Sequence, residues 1–102
     1  MVQYDINIMI LQITYELKDS DKNYSDLFAA IESLGNSSIH ILKDSWWVDI
    51  NDSLKLEDIL NILKVHMGEN DLIHIIEITD KKTNGWLAHT SWDWLKKRST
   101  IL

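Results

Sequence analysis

The chain has 102 residues, contains no cysteine and carries a formal net charge of −6 from ten basic and sixteen acidic residues. Its length fits one domain over residues 1–102, and the lack of cysteine excludes disulfides and thiolate metal sites. The acidic balance argues against a protein whose main task is to hold phosphate backbones. No apolar run reaches the roughly 18 residues of a membrane span, and the N-terminal segment does not resemble a signal peptide, so we expect a cytoplasmic protein without membrane contact.

The first predicted element is a β-strand over Ile6–Leu17, around which the rest of the sheet is expected to form. Seven of its twelve residues are Ile, Leu or Met, and both alternating sets of side chains are mainly apolar. A strand of this kind belongs in the middle of a sheet that has at least partial cover on each face. Glu16 lies where this strand ends, and a polar loop with Asp19 and Asp21 follows.

Two amphipathic helices are predicted over Tyr24–Leu34 and Ser53–His66, because their apolar residues recur at helical spacing. A glycine just after each pattern indicates the end of the helix, and the first glycine is expected to adopt a left-handed conformation. The expected N-cap residues are Asn23 or Ser25 for the first helix and Asp52 or Ser53 for the second, with Gly35 and Gly68 at the ends.

Three further β-strands are predicted. Ser38–Leu42 and Ser45–Ile50 are separated by two residues, which indicates a hairpin. Asp71–Thr79 is mainly apolar on both alternating sets. The order βαββαβ predicts an α+β ferredoxin-like fold with a four-stranded antiparallel sheet, in which the first and third strands are central and both helices cover one face.

The other face of this sheet is expected to be open and too apolar to stay in water. An exposed apolar face indicates a partner, and homodimerisation is the simplest solution. Trp46 and Trp47 point to opposite faces of one strand, so one of them should lie under the helices and the other should face the open side. We expect Trp47 to be the interface anchor, with Trp46 as the alternative if the parity is reversed.

A short helical tail is predicted over Ser91–Arg98, with Thr90 and Asp93 arranged like a capping box. Aromatic and basic residues lie close together in and before this tail, and such a mixture can stack bases and neutralise phosphates. The alternative, which we favour, is that the tryptophans hold the tail on the sheet while the cations stay solvated. The cations are Lys81, Lys82, Lys96, Lys97 and Arg98, and the tryptophans are Trp86, Trp92 and Trp94.

Short motifs along nearly the whole chain resemble those of a known group of proteins. They are Thr14-Tyr15-Glu16-Leu17, Asn23-Tyr24, Leu34-Gly35, Ser45-Trp46-Trp47, Asn70-Asp71-Leu72, Gly85-Trp86-Leu87 and Trp92-Asp93-Trp94. In this order they resemble small bacterial and phage proteins labelled SinR-like. More broadly, the chain resembles the family of CRISPR-associated protein two and its relative, virulence-associated protein D.

This resemblance implies a ferredoxin-like homodimer, and a metal-dependent nuclease site where the first-strand carboxylates of two subunits meet. Glu16 occupies the place of that carboxylate, and it would be both the catalytic residue and the Mg²⁺ ligand. This chain has glutamate where the family has aspartate, and the extra methylene moves the oxygens although Mg²⁺ requires near-ideal octahedral distances. The family also includes dimers that hold nucleic acid without cutting it.

Three functional interpretations follow. We favour a non-catalytic homodimeric interaction or assembly protein, in a phage or defence context and without a cofactor, whose further partner is a protein. The first alternative is a nuclease that uses Mg²⁺ bound by Glu16 to cut RNA or DNA. The second is a dimer that binds nucleic acid through the five cations without cutting it. His40 and His74 are interpreted as hydrogen-bonded strand residues, because no histidine pair has zinc-ligand spacing.

Overall fold

A computed structural model of the protein describes residues 8–51 and 53–98. Within these residues the chain forms an α+β structure in which a four-stranded antiparallel sheet carries three helices, as the sequence predicts at this level. In chain order the elements are β1 (Ile8–Glu16), α1 (Ser25–Glu32), β2 (Ser37–Leu42), β3 (Ser45–Asn51), α2 (Leu56–Lys64), β4 (Leu72–Glu77) and α3 (His89–Lys96).

The strand order is β2-β3-β1-β4, so β1 and β3 occupy the centre of the sheet and β2 and β4 lie at its edges. The two apolar faces of β1 explain its central place. Leu11 and Ile13 have no exposed surface on one face, and Ile10 has none on the other. Such a strand is most stable in the middle of the sheet, because both sets of its apolar side chains are removed from water there.

The first face of the sheet is covered by α1 and α2, as predicted. The apolar face of each helix packs against the central strands. The fully buried side chains here are Leu27 and Ile31 of α1, Ile59 and Leu63 of α2, Leu11 and Ile13 of β1, and Val48 and Ile50 of β3. This cluster is the main core of the molecule.

The second face is not left open, which corrects the expectation drawn from the sequence. The helix α3 folds back over one end of it, where Trp94 and Leu95 form a second buried cluster with Ile10 and Trp47. Tryptophan side chains bury large areas, so even an eight-residue helix can cover this part of the sheet. The predicted attachment of the tail by its tryptophans is therefore confirmed for Trp94 and, through its ring contact with Trp47, for Trp92.

Several predicted boundaries and caps were wrong. The helices α1 and α2 are shorter than predicted, while α3 has the predicted length but begins and ends two residues earlier. The helix α2 follows Lys55 as its N-cap, not Ser53. The helix α3 follows Ala88 without a side-chain cap, so Thr90 and Asp93 do not form a capping box. For α1 the expected role of Asn23 is close to the observed one, because its Oδ1 accepts the Ser25 amide at 2.9 Å. The predicted residues Ile6, Asn7 and Asp52 lie outside the described part of the chain.

Gly35 has a different role from the predicted one. None of the glycines in residues 8–51 and 53–98 has a positive φ, so the helix α1 does not end in a left-handed glycine. A Cβ at Gly35 would instead lie 1.9 Å from the carbonyl oxygen of Asp49, in the central strand β3. The glycine is needed because the backbone passes so close to β3 that a side chain has no space. In the described ranges, no helix has the length and apolar character needed to cross a bilayer.

Candidate functional site

Glu16, the predicted catalytic and metal-binding residue, is the last residue of β1 and lies opposite Leu72 of β4. Its side chain is 66% exposed, and one of its oxygens lies 3.8 Å from the ammonium of Lys18. An exposed pair at this distance contributes about 0–1 kcal/mol, so it holds the carboxylate only weakly. Across the described residues, no three His, Asp or Glu side chains come together in a way that could hold a metal ion.

Asp71 is the most heavily hydrogen-bonded carboxylate near this end of the sheet. It accepts the amide N–H of Lys18 at 2.7 Å, the amide N–H of Gly68 at 2.6 Å and the hydroxyl of Tyr24 at 2.8 Å. Desolvation alone would raise the pKa of Asp71, but these three donors outweigh it and the net pKa is lowered. The carboxylate joins the loop after β1, the start of α1 and the turn before β4.

Tyr15 and Trp46 form a second internal contact, under α1. The indole Nε1 of Trp46 donates a hydrogen bond to the Tyr15 hydroxyl at 3.0 Å, and burial raises the pKa of Tyr15. The ring of His40 stacks on Trp46 with 4.3 Å between centroids and 11° between planes. His40 Nε2 also lies 2.9 Å from the carbonyl oxygen of Lys43, so its interpretation as a hydrogen-bonded strand residue is confirmed.

Asp49 and Arg98 form an ion pair that sequence reasoning missed. The guanidinium of Arg98 bonds to Asp49 Oδ2 and to the carbonyl oxygen of Trp94, and its Cζ lies 4.1 Å from the centre of the Trp94 ring. The Asp49 side chain is only 5% exposed. The signal that could have identified this pair is an aspartate inside the otherwise apolar strand Trp46–Ile50, since a buried carboxylate needs a cationic partner.

The five predicted nucleic-acid-binding cations are not equivalent. Lys81 and Lys82 are exposed in the segment after β4, and Lys96 and Lys97 are exposed at the end of α3. These four fit the expectation of solvated cations. Arg98 does not fit it, because its guanidinium forms an ion pair with the buried carboxylate of Asp49.

The two predicted interface anchors are both buried by the chain itself. Trp46 is 5% exposed and Trp47 is 2% exposed, and the Nε1 of Trp47 donates to Gln12 Oε1 at 3.0 Å. Trp47 does face the second side of the sheet, as expected, but Trp92 and Trp94 cover it. Trp86, in contrast, is 99% exposed, so the prediction that it helps to hold the tail on the sheet was wrong.

A cleft of ≈ 480 Å³ remains on the second face, between the segment that precedes α3 and the end of β2. Its walls combine indole rings with one ammonium and several amide and hydroxyl groups. The residues around it include Gln12, Trp47, Lys82, Thr83, Trp86 and Trp92. Such a surface can hold an apolar or aromatic group, but it contains no arrangement of acid, base and nucleophile.

Comparisons of the chain with protein-family models, with curated proteins and with solved structures found no match.

Proposed function

We propose that this protein is a non-catalytic homodimeric interaction or assembly protein with a ferredoxin-like fold, similar in design to CRISPR-associated protein two. The proposed fold is supported by the central position of β1 and β3 and by the placement of α1 and α2 on the same face. The sheet is antiparallel throughout its described strands.

The observation that carries the proposal is that side chains from different motifs form hydrogen bonds with one another. Tyr15 bonds to Trp46, and Tyr24 bonds to Asp71, so four motif residues form two pairs that join distant parts of the chain. Gly35, from another motif, allows the close approach to β3. Motif residues that bond to one another stabilise the fold, which favours a structural explanation of the pattern over a catalytic one.

The carboxylate of Glu16 remains exposed to solvent. A catalytic carboxylate is normally held in place by groups that also tune its charge. Glu16 has instead a long contact with the flexible ammonium of Lys18. This setting supports a non-catalytic role for Glu16.

The experiment is a cleavage assay with labelled single-stranded and double-stranded RNA and DNA, in Mg²⁺ and in Mn²⁺. The wild-type protein is compared with Glu16→Gln and with Glu32→Gln, a control at an exposed glutamate of α1. We expect no cleavage by any of the three proteins. Cleavage by the wild type and by Glu32→Gln that disappears in Glu16→Gln would overturn the proposal in favour of a nuclease.

Binding of the same nucleic acids is measured at two salt concentrations. We expect weak binding that is unchanged when Lys81, Lys82, Lys96 and Lys97 are replaced by Gln. Arg98 stays in place because its loss would disturb folding. Tight, salt-sensitive binding that these four replacements remove would favour the non-cutting nucleic-acid dimer instead.

A further inference from the structure

The strand β4 is an edge strand without the usual features that prevent association. Its sequence Leu72–Glu77 has no proline, and its charged residue is at the end of the strand. Leu72 is 55% exposed and Ile76 is 45% exposed. Natural edge strands are normally protected by charged residues, proline, bulges or covering loops, because free edges pair with other chains.

The pairing with β1 determines which backbone groups of β4 are free. The amide of Ile78 donates to the carbonyl of Ile10, and alternate residues of an antiparallel strand point their backbone groups to opposite sides. The backbone N–H and C=O groups of residues 72, 74 and 76 therefore point toward β1. The N–H and C=O groups of Ile73, Ile75 and Glu77 face outward, where no strand of the described residues pairs with them.

An apolar groove runs beside this edge, between α2 and β4. It consists of two adjoining clefts of ≈ 300 Å³ and ≈ 450 Å³, which share Leu60 and Ile73. Leu56 and Ile75 line one end of the groove, and Leu72 and Met67 line the other. A strand added at the edge of β4 would place one set of its side chains over this groove.

We infer that the occupant of this edge is β4 of a second copy of the chain, paired antiparallel about a two-fold axis at Ile75. The inference rests on the proposed homodimer and specifies its interface. Centring the pair on Ile75 places Ile73 opposite Glu77 of the partner subunit, and the reverse. All six outward backbone groups then form hydrogen bonds, and two four-stranded sheets join into one of eight strands.

The side chains are compatible with this register. On the second face His74 lies opposite the partner's Ile76, so no like charges meet across the strands. On the first face the partner's Ile73 and Ile75 contribute apolar surface beside the groove. The partner's Glu77 comes opposite Ile73, beside Lys64, which lines that end together with the anions Glu69 and Asp71. The carboxylate of Asp71 already accepts three hydrogen bonds within its own chain. The pairing of Lys64 with the partner's Glu77 occurs twice in the dimer.

This interface has a consequence for Glu16. Glu16 lies on β1, the strand next to β4, and is opposite Leu72. Leu72 is three positions along β4 from the proposed axis at Ile75. With about 3.4 Å per residue and about 4.8 Å between strands, the two Glu16 Cα atoms are about 25 Å apart. Two carboxylates at this separation cannot share a metal ion. This dimer therefore differs from the one that the motif resemblance implies, in which the first-strand carboxylates meet, and it agrees with a non-catalytic role.

The first test is sedimentation velocity over a concentration series with the full chain. Ile76→Lys introduces an edge lysine at an exposed position, and Leu42→Lys is the matched control at a residue 55% exposed on the other edge strand. We expect a wild-type dimer, an increase of roughly tenfold or more in the dimer dissociation constant for Ile76→Lys, and no change for Leu42→Lys. Circular dichroism confirms that each variant is folded.

The second test is a charge swap. Lys64→Glu and Glu77→Lys should each weaken the dimer by about fivefold to tenfold, and the double variant should restore it. A wild-type dimer that neither Ile76→Lys nor the charge changes affect would place the interface elsewhere and overturn this inference while leaving the homodimer intact. A wild-type chain that stays monomeric at tens of micromolar would overturn the proposed homodimer itself.

Discussion

Polar side chains that look like candidates for chemistry hold loops and termini together in this protein. Asp71 and Tyr24 are 47 residues apart in the chain, and Asp49 and Arg98 are 49 apart. Each pair connects segments that are far apart in the sequence. At the scale of single residues, the effect to measure is therefore the change in the protein's unfolding free energy when one of these groups is replaced.

Asp71→Asn tests the hydrogen-bonded carboxylate. Because the pKa of Asp71 is lowered in the folded state, its charge contributes stability above roughly pH 4, which is lost as the pH falls through the folded-state pKa. The variant should lose about 1 kcal/mol of unfolding free energy at pH 7, a value reduced for solvent screening. The difference from wild type should shrink toward pH 2 in thermal unfolding, and an equal difference at both pH values would contradict the assignment. Asp21→Asn, on the exposed loop after β1, is the control.

Arg98→Met tests the buried ion pair. Removing the guanidinium leaves the carboxylate of Asp49 buried without its cation, which should cost about 3 kcal/mol in urea unfolding. Lys97→Met, at the neighbouring exposed cation, should change stability by less than about 0.5 kcal/mol. The double variant Asp49→Asn/Arg98→Met should lose much less unfolding free energy than the sum of the losses in the two single variants. Strict additivity would show that the two groups do not interact.

At the scale of elements, the helix α3 decides what the second face of the sheet exposes. It is eight residues long, so its stability must come mainly from packing and not from helix propensity. Trp94 supplies that packing, through Trp47 and through a 2.9 Å hydrogen bond from its Nε1 to Ser37 Oγ.

Trp94→Ala should therefore destabilise the protein by about 3 kcal/mol and shift the fluorescence of the remaining tryptophans to longer wavelength, because water reaches Trp47. Trp86→Ala removes an indole that is 99% exposed and should leave the unfolding midpoint unchanged. Equal effects of the two substitutions would show that α3 does not cover the sheet in solution.

The connection between α1 and β2 depends on Gly35. In Gly35→Ala the new methyl group would meet the Asp49 carbonyl and, at 2.6 Å, the Cγ2 of Ile50, so the central strand would have to shift. We expect a loss of about 3 kcal/mol in chemical unfolding. Gly85→Ala is the matched control, because the nearest atom to its Cβ is 4.0 Å away. A tolerated Gly35→Ala would contradict the close approach.

At the scale of the whole molecule, association through β4 would couple stability to protein concentration. Ligands that bind only the folded state raise the unfolding temperature, and a second copy acts as such a ligand. Raising the concentration from about 5 μM to about 500 μM should raise the wild-type midpoint by several degrees in calorimetry. Ile76→Lys should show a much smaller rise, and an equal rise in both proteins would count against β4 as the interface.

The sequence by itself determined the elements, their order and the α+β class. Strand and helix patterns repeat every two or 3.6 residues, so they are visible in a short window of sequence. The central place of β1 also followed from its composition, since a strand that is apolar on both alternating sets must be covered on both sides. The helix ends were less accurate, because caps and close approaches such as that of Gly35 depend on neighbouring elements.

Only the tertiary structure decided what covers the second face and what the polar residues do. The sequence pattern could not show that Trp47 lies under α3, or that Arg98 is paired inside the molecule while Lys96 and Lys97 stay in solvent. These outcomes depend on contacts between residues about 50 positions apart, which have no local period. The exposed edge of β4 is equally a property of the assembled sheet, because a strand pattern does not state which of its two sides finds a partner.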